Sequence, residues 1–344
     1  MPSSASIRRL LVLWLALWAA SVSLLSQTPR SIHPAQYVGP VIMTVSDMDR
    51  AVDFYTRVLT FQQTADFERS GADYEQLYNL SNVHLRVVDL KLGDESIELL
   101  QFAAVNSTPI QADARSNDLS FQHIAIIVSD MDAAYGVLRK KRVAHVSAYP
   151  QILPAWNHAA AGIKAFYFND PDGHPLEILQ FPPDKGASKW REATNRLFLG
   201  IDHTAIVVSD TDASLAFYQD LLGLHVTGES ENYGAEQEHL NNVFSAHLRI
   251  TSLRGPSGIG VEILEYLAPR DGRPSPANQA ATDIAHHETV VAVEDLDTLS
   301  ASLPATSVFP LLQEIQRAPG LPRNANKARL IRDPDGHFLL LVQQ

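Results

Sequence analysis

The chain has 344 residues, a formal net charge of −12 and no cysteine. The missing thiols exclude disulfides, a cysteine nucleophile and a lipid-modified cysteine. The acidic balance argues against nucleic acid as a partner, because phosphate contacts need clustered Lys and Arg.

At the N-terminus, Arg8 and Arg9 precede an apolar run over residues 10–25, with the small residues Ala19, Ala20, Ser21 and Ser23 near its end. This is the pattern of an export signal within residues 1–30. An uncleaved anchor, tethering the chain to a membrane, is the alternative, although the run is short against the roughly 17–25 residues a span needs. Residues 1–30 hold three Arg and no acidic residue, so the body that follows carries −15. The expected location is the periplasm or the cell exterior, which suits a chain without thiols.

After that segment the sequence repeats itself four times. Residues 41–49, 124–132, 204–212 and 289–297 are each an apolar strand-like run stopped by an Asp (Asp47, Asp130, Asp210, Asp295) that can cap a following helix. The helices carry apolar residues at helical spacing: Ala51, Phe54, Tyr55 and Val58 in the first, Leu215, Phe217, Tyr218, Leu221 and Leu222 in the third. Further strands follow. Asp47 to His84 and Asp210 to His247 both span 37 residues, which points to a duplication. Residues 170–174 and 333–337 repeat Asp-Pro-Asp-Gly-His turns, whose His174 and His337 read as exposed turn residues.

Each module closes on another apolar run, at 97–102, 176–181, 261–266 and 339–344. Three of these place an acid at the same point: Glu98, Glu177 and Glu262, with Leu340 in the fourth. A carboxylate inside a strand is costly to bury without compensation, so a metal or a polar substrate is the natural reason for the repetition. The modules fall at 36–102, 119–181, 198–268 and 284–343. They give two halves, 36–181 and 198–343, joined by surface connectors at 103–118, 182–197 and 269–283.

This pattern resembles the vicinal oxygen chelate superfamily, which includes glyoxalase I, extradiol dioxygenases and bleomycin-resistance proteins. Residues 54–59 and 217–224 resemble its helix signature, and 170–173 with Glu177, and 333–336, its closing turn and strand. The resemblance implies an α+β fold. Four βαβββ modules would pair into two curved-sheet cups, each able to hold a divalent metal on its first and last strands. Seven residues before each capping Asp, the first-strand ligand positions hold Pro40, His123, His203 and Glu288. With consecutive modules paired, the first half offers Glu98, His123 and Glu177, and the second offers His203, Glu262 and Glu288. His286 would share the face of Glu288, since strand side chains alternate, while His287 would point away. Mixed imidazole and carboxylate donors suit Fe, Mn, Ni, Zn or Co. No nucleotide cofactor is evident.

A small-molecule substrate and a metal-dependent enzyme are therefore expected. It would act on vicinal oxygens with isomerase or lyase chemistry, with Glu98 or Glu177 doubling as base. The alternatives are an extradiol-type ring-cleaving dioxygenase and a binding protein of the bleomycin-resistance type. Pro40 and Leu340, which erase ligand positions, favour the last. Arg86 and Arg249 read as solvated strand residues. Tyr233, Asn241 and Asn242 fall in a polar stretch of the third module where substrate contacts can occur.

Overall fold

The computed structural model describes residues 35–103, 107–192, 195–303, 315–316 and 321–344. The expected signal or anchor lies outside them, and no helix among the described residues is long and apolar enough to cross a membrane.

Each module repeats one order. The first is β1 (Ala35–Thr44), α1 (Met48–Arg57), β2 (Gln62–Ser70), α2 (Ala72–Tyr78), β3 (His84–Leu92) and β4 (Glu95–Phe102). The second is β5 (Gln122–Val128), α3 (Met131–Lys140), the two-residue β6 (Ala144–His145) and β7 (Gln151–Ile152), β8 (Lys164–Asn169) and β9 (Pro175–Gln180). In the third, β10 (Phe198–Val208) and α4 (Thr211–Leu215), which runs on into a π-helical turn at Ala216–Leu221, precede β11 (His225–Tyr233). It continues with α5 (Ala235–Asn241), β12 (His247–Arg254) and β13 (Gly260–Ala268). The fourth is β14 (His287–Val293), α6 (Leu296–Ser302), β15 (Ile315–Gln316), β16 (Lys327–Arg332) and β17 (Phe338–Gln343). All four capping aspartates do what the sequence suggests, each accepting a backbone N–H three residues on.

The pairing of modules differs from the consecutive arrangement. One sheet runs β15-β16-β17-β14-β1-β4-β3-β2, joining the first module to the fourth. The other runs β11-β12-β13-β10-β5-β9-β8-β6, joining the second to the third. The seams are antiparallel pairs of first strands, β1 with β14 and β10 with β5. Every residue of β5, β10 and β14 is buried, so each must lie inside a sheet, but apolar runs do not say which partner lies beside them.

Consecutive modules meet instead through the turns. The Tyr55 hydroxyl donates to Asp170 (3.2 Å), and Asp172 accepts from the Ser46 amide (2.9 Å) and hydroxyl (2.6 Å). Tyr218 donates to Asp333 (3.0 Å) and the Ser209 amide to Asp335 (3.1 Å). The Asp-Pro-Asp-Gly turns thus clamp one sheet to the other. His174 and His337 are buried there, not exposed. His174 sits between the Asp170 carboxylate (2.8 Å) and the Ile284 carbonyl (2.7 Å).

A shared core, with strand residues of both sheets and helix residues of all four modules, fills the space between the sheets. Separate apolar clusters line the other face of each sheet. The connectors 103–118 and 269–283 are not merely loose surface loops. Buried Asp118 accepts from the Arg273 guanidinium (2.7 Å), and Arg115 pairs with Asp271 (3.0 Å).

Candidate metal centre

Strand alternation decides which side chains reach the second cup. In β5, Ile124, Ile126 and Val128 enter the shared core, which turns His123 the other way. In β10, Ile206 and Val208 do the same opposite His203. In β9 and β13, Leu176, Ile178, Val261 and Ile263 are core, leaving Glu177 and Glu262 on the cup face.

Three of these side chains converge, and Glu262 stands beside His203. His123 Nε2 lies 3.3 Å from Glu177 Oε2, and His203 Nε2 lies 3.8 Å from the same oxygen. His203 Nε2 is also 3.3 Å from Glu262 Oε2. His123, Glu177 and His203 each offer a ligand atom within 4.8 Å of the others. Both ring nitrogens of His123 and Nε2 of His203 are buried without a hydrogen-bond partner. Orphaned buried nitrogens are expensive, and a cation between the two imidazoles and the glutamates would satisfy both Nε2 atoms. The donor set fits a divalent transition metal.

Surrounding residues aim these donors. Asp202 accepts from His203 Nδ1 (3.1 Å), which turns Nε2 toward the glutamates. Asp202 is itself gripped by Arg254 (2.6 Å) and Trp190 Nε1 (2.9 Å). Burial opposes its ionisation, but His203, Arg254 and Trp190 outweigh that and hold its carboxyl well below the usual range. Burial likewise opposes a charged His203, yet Glu262, Asp202 and Glu177 raise it to about 9. Ser252 donates to Glu262 Oε1 (2.8 Å). Gly260 leaves room for this packing: a Cβ there would come within 3.2 Å of His203 Cβ and 3.0 Å of the Arg254 guanidinium. Asp202, Trp190, Arg254 and Ser252 carried no motif. Only the Asp-His pair at 202–203 was a usable signal.

A cavity of about 530 Å³ opens over the centre, with Glu177 and Glu262 in its wall. The profile of the Glyoxalase/Bleomycin resistance protein/Dioxygenase superfamily matches residues 37–178 and 200–341. The chain belongs to this superfamily. Over 175 residues, half of this chain and 92% of the relative, it is 30% identical to 2-epi-5-epi-valiolone epimerase of Actinomyces sp. Glyoxalase I from Zea mays superposes with a TM-score of 0.54 at 15% identity, covering 90% of this chain and 92% of that one. A putative dioxygenase from Bacillus subtilis gives 0.53 at 14% identity, covering 91% and 86%. These two share the fold.

The first- and last-strand positions of the second cup hold His123, Glu177, His203 and Glu262. The grouping expected from consecutive modules is therefore corrected. Glu98 does not join His123 and Glu177, and Glu288 does not join His203 and Glu262. Both lie in the first sheet, where Ile42 of β1 pairs with Glu98 on one side and Glu288 on the other. There Glu98 takes a bidentate ion pair from Arg69, at 2.7 and 2.9 Å. Burial pushes Glu98 up to about 7 against the pull of Arg69. Glu288 contacts His286 at 2.9 Å, on the face expected, and His287 points away to meet the His174 ring edge-on. Pro40 and Leu340 complete that cup without donors, and Tyr74, Tyr78, Leu100 and Phe338 fill it. Arg86 and Arg249 are surface residues paired with acids.

Proposed function

We propose that the second cup is the active centre of a metal-dependent isomerase or epimerase, acting on a small substrate with oxygens on adjacent carbons. The observation that carries this is the His123, Glu177 and His203 cluster, with Glu262 beside it and both Nε2 atoms unpartnered, at the wall of a cavity. His123, Glu177, His203 and Glu262 would hold the ion. When bound, it would polarise a substrate carbonyl and offset negative charge developing there. The epimerase relative supports reading that chemistry as proton transfer.

The two glutamates are not equivalent. Glu177 is wedged between both imidazoles with its side chain 5% exposed, whereas the Glu262 side chain is 23% exposed. Glu262 therefore replaces Glu98 as the candidate base, beside Glu177. Its carboxylate takes a proton from the carbon next to the carbonyl, and the C–H electron pair moves toward that carbonyl. Protonation of the opposite face by the second carboxyl group, Glu177, inverts the centre while Glu262 keeps the proton it took, and return of that proton by Glu262 to the neighbouring carbon isomerises the substrate instead. Ser252 fixes the carboxylate's orientation. Asp202 keeps His203 from turning.

The test is exchange of the substrate α-proton in D₂O by metal-loaded protein. Glu262→Gln should retain bound metal yet lose exchange by about 10²–10⁴-fold, the usual worth of a general base. Exchange at the wild-type rate in Glu262→Gln would rule out the assignment.

A ring-cleaving dioxygenase is the second reading, because His123, His203 and Glu177 alone make a two-histidine, one-carboxylate set. Glu262 as a fourth donor favours the isomerase. We also propose export, on the Arg8-Arg9 and apolar pattern. A fusion of residues 1–40 to a reporter should leave the cytoplasm, and cytoplasmic retention contradicts it.

A further inference from the structure

We propose that the second cup selects a neutral, polyhydroxylated ring, whose hydroxyl groups are read by a relay of buried side-chain amides. This rests on the reading of that cup as a substrate site.

The two cups differ at three matched positions. At 22, 27 and 31 residues after its capping Asp, the first module holds Arg69, Tyr74 and Tyr78, all buried and filling its cup. The third module holds Asn232, Gln237 and Asn241 at the same offsets. A charge and two rings have become three neutral amides, and a cavity is present where the first cup is packed.

The amides are ordered in one direction. Asn157 Nδ2 donates to Asn232 Oδ1 (2.6 Å), and Asn232 Nδ2 donates to Gln237 Oε1 (3.1 Å). Gln237 Nε2 donates to Asn241 Oδ1, and Asn241 Nδ2 donates to the Tyr266 hydroxyl (2.6 Å). All five residues are buried. A primary amide has two N–H donors and two acceptor sites. Asn232 and Gln237 spend only one donor each along the relay, and both line the cavity. What remains on each is a fixed donor beside a fixed acceptor, which is the complement of a hydroxyl.

The rest of the cavity agrees. Ser230 adds a hydroxyl and Thr227, whose own proton goes to the Ser252 carbonyl (3.2 Å), adds an acceptor oxygen, while Leu153, Ile163, Ala165 and Leu179 make the rest of the lining apolar. A ring with hydroxyls on its edge and C–H groups on its face matches both. The cations of the lining are already engaged, Arg254 by Asp202 and Lys185 by the His158 carbonyl. The lining carboxylate Glu229 is paired as well, with Arg249 (3.4 Å), so among the described residues the wall offers no free cation to an anionic ligand.

Saturation-transfer NMR on the metal-loaded full chain tests this with three probes: myo-inositol, trans-1,2-cyclohexanediol and the anionic polyol quinate. The expected result is binding of myo-inositol, with the diol and quinate each at least about ten-fold weaker, since a buried partner left unmade costs about that much. Gln237→Met should weaken myo-inositol by a similar factor and leave the diol unchanged. If Gln237→Met does not fold, the double variant Thr227→Val, Ser230→Ala on the cavity rim takes its place with the same expectation. Equal binding of myo-inositol and the diol, tighter binding of quinate, no binding of any probe, or no effect of the variants would each overturn the proposal. Loss of α-proton exchange with myo-inositol binding intact would remove the catalytic reading alone.

Discussion

Two glutamates at matched strand positions, Glu98 and Glu262, have been put to different uses. Glu98 is neutralised by a covalently attached cation, Arg69, inside a packed interior. Glu262 faces a cavity with a histidine and a serine. Glu98→Gln should therefore leave metal content unchanged and cost about 3–5 kcal/mol of stability, because it strands a buried guanidinium. Denaturant unfolding and metal analysis of the same sample check both halves of that statement. Asp202→Asn should do the reverse, weakening metal affinity about 10–100-fold through the loss of the partner that orients His203, with little change in unfolding. Competitive chelator titration reads it. Each ligand was legible singly, since His123 and His203 stand seven residues before a capping Asp and Glu177 and Glu262 at the same point of a repeated closing run. Their grouping was not, because it depends on which first strands pair across more than 70 residues of chain, and uniformly buried strands carry no label for a partner.

At the scale of elements, the order of strands and helices was readable because periodicity and Asp caps are local. The turns at 170–174 and 333–337 were misread for the opposite reason: what covers the Asp170–His174 pair comes from elsewhere, Tyr55 on Asp170 and Ile284 and His287 on His174. Both His174 nitrogens face acceptors, which favours the charged ring. Burial opposes that charge, but Asp170 outweighs it and raises His174 from its ordinary 6.5. Asp170 is lowered from its ordinary 3.8, with burial again opposing and His174 prevailing. The raised histidine adds stability in full below pH 6.5 and loses it as pH climbs through its higher folded value. The lowered aspartate adds stability above pH 3.8 and loses it as pH falls through its lower folded value. The clamp between sheets should thus be strongest between those two values. Unfolding free energies of wild type and His174→Gln, measured from pH 5 to 9, should converge toward the alkaline end. A gap that stays constant across that range would show that the ring is neutral throughout.

For the whole molecule, four copies of one module have produced one open cup and one closed one. The shared core holds both sheets in register, so the packed first cup acts as a scaffold for the second. Removing metal should lower the melting temperature without unfolding the chain, since the clusters of apolar residues do not involve the ligands. A melt with and without chelator checks it. The central claim is that only the second cup binds metal, through His123, Glu177, His203 and Glu262. The most direct measurement is metal stoichiometry by elemental analysis of the purified chain and of His203→Ala. The account predicts close to one ion per wild-type chain and close to none in the variant. Two ions per chain, or an unchanged content in His203→Ala, would contradict it.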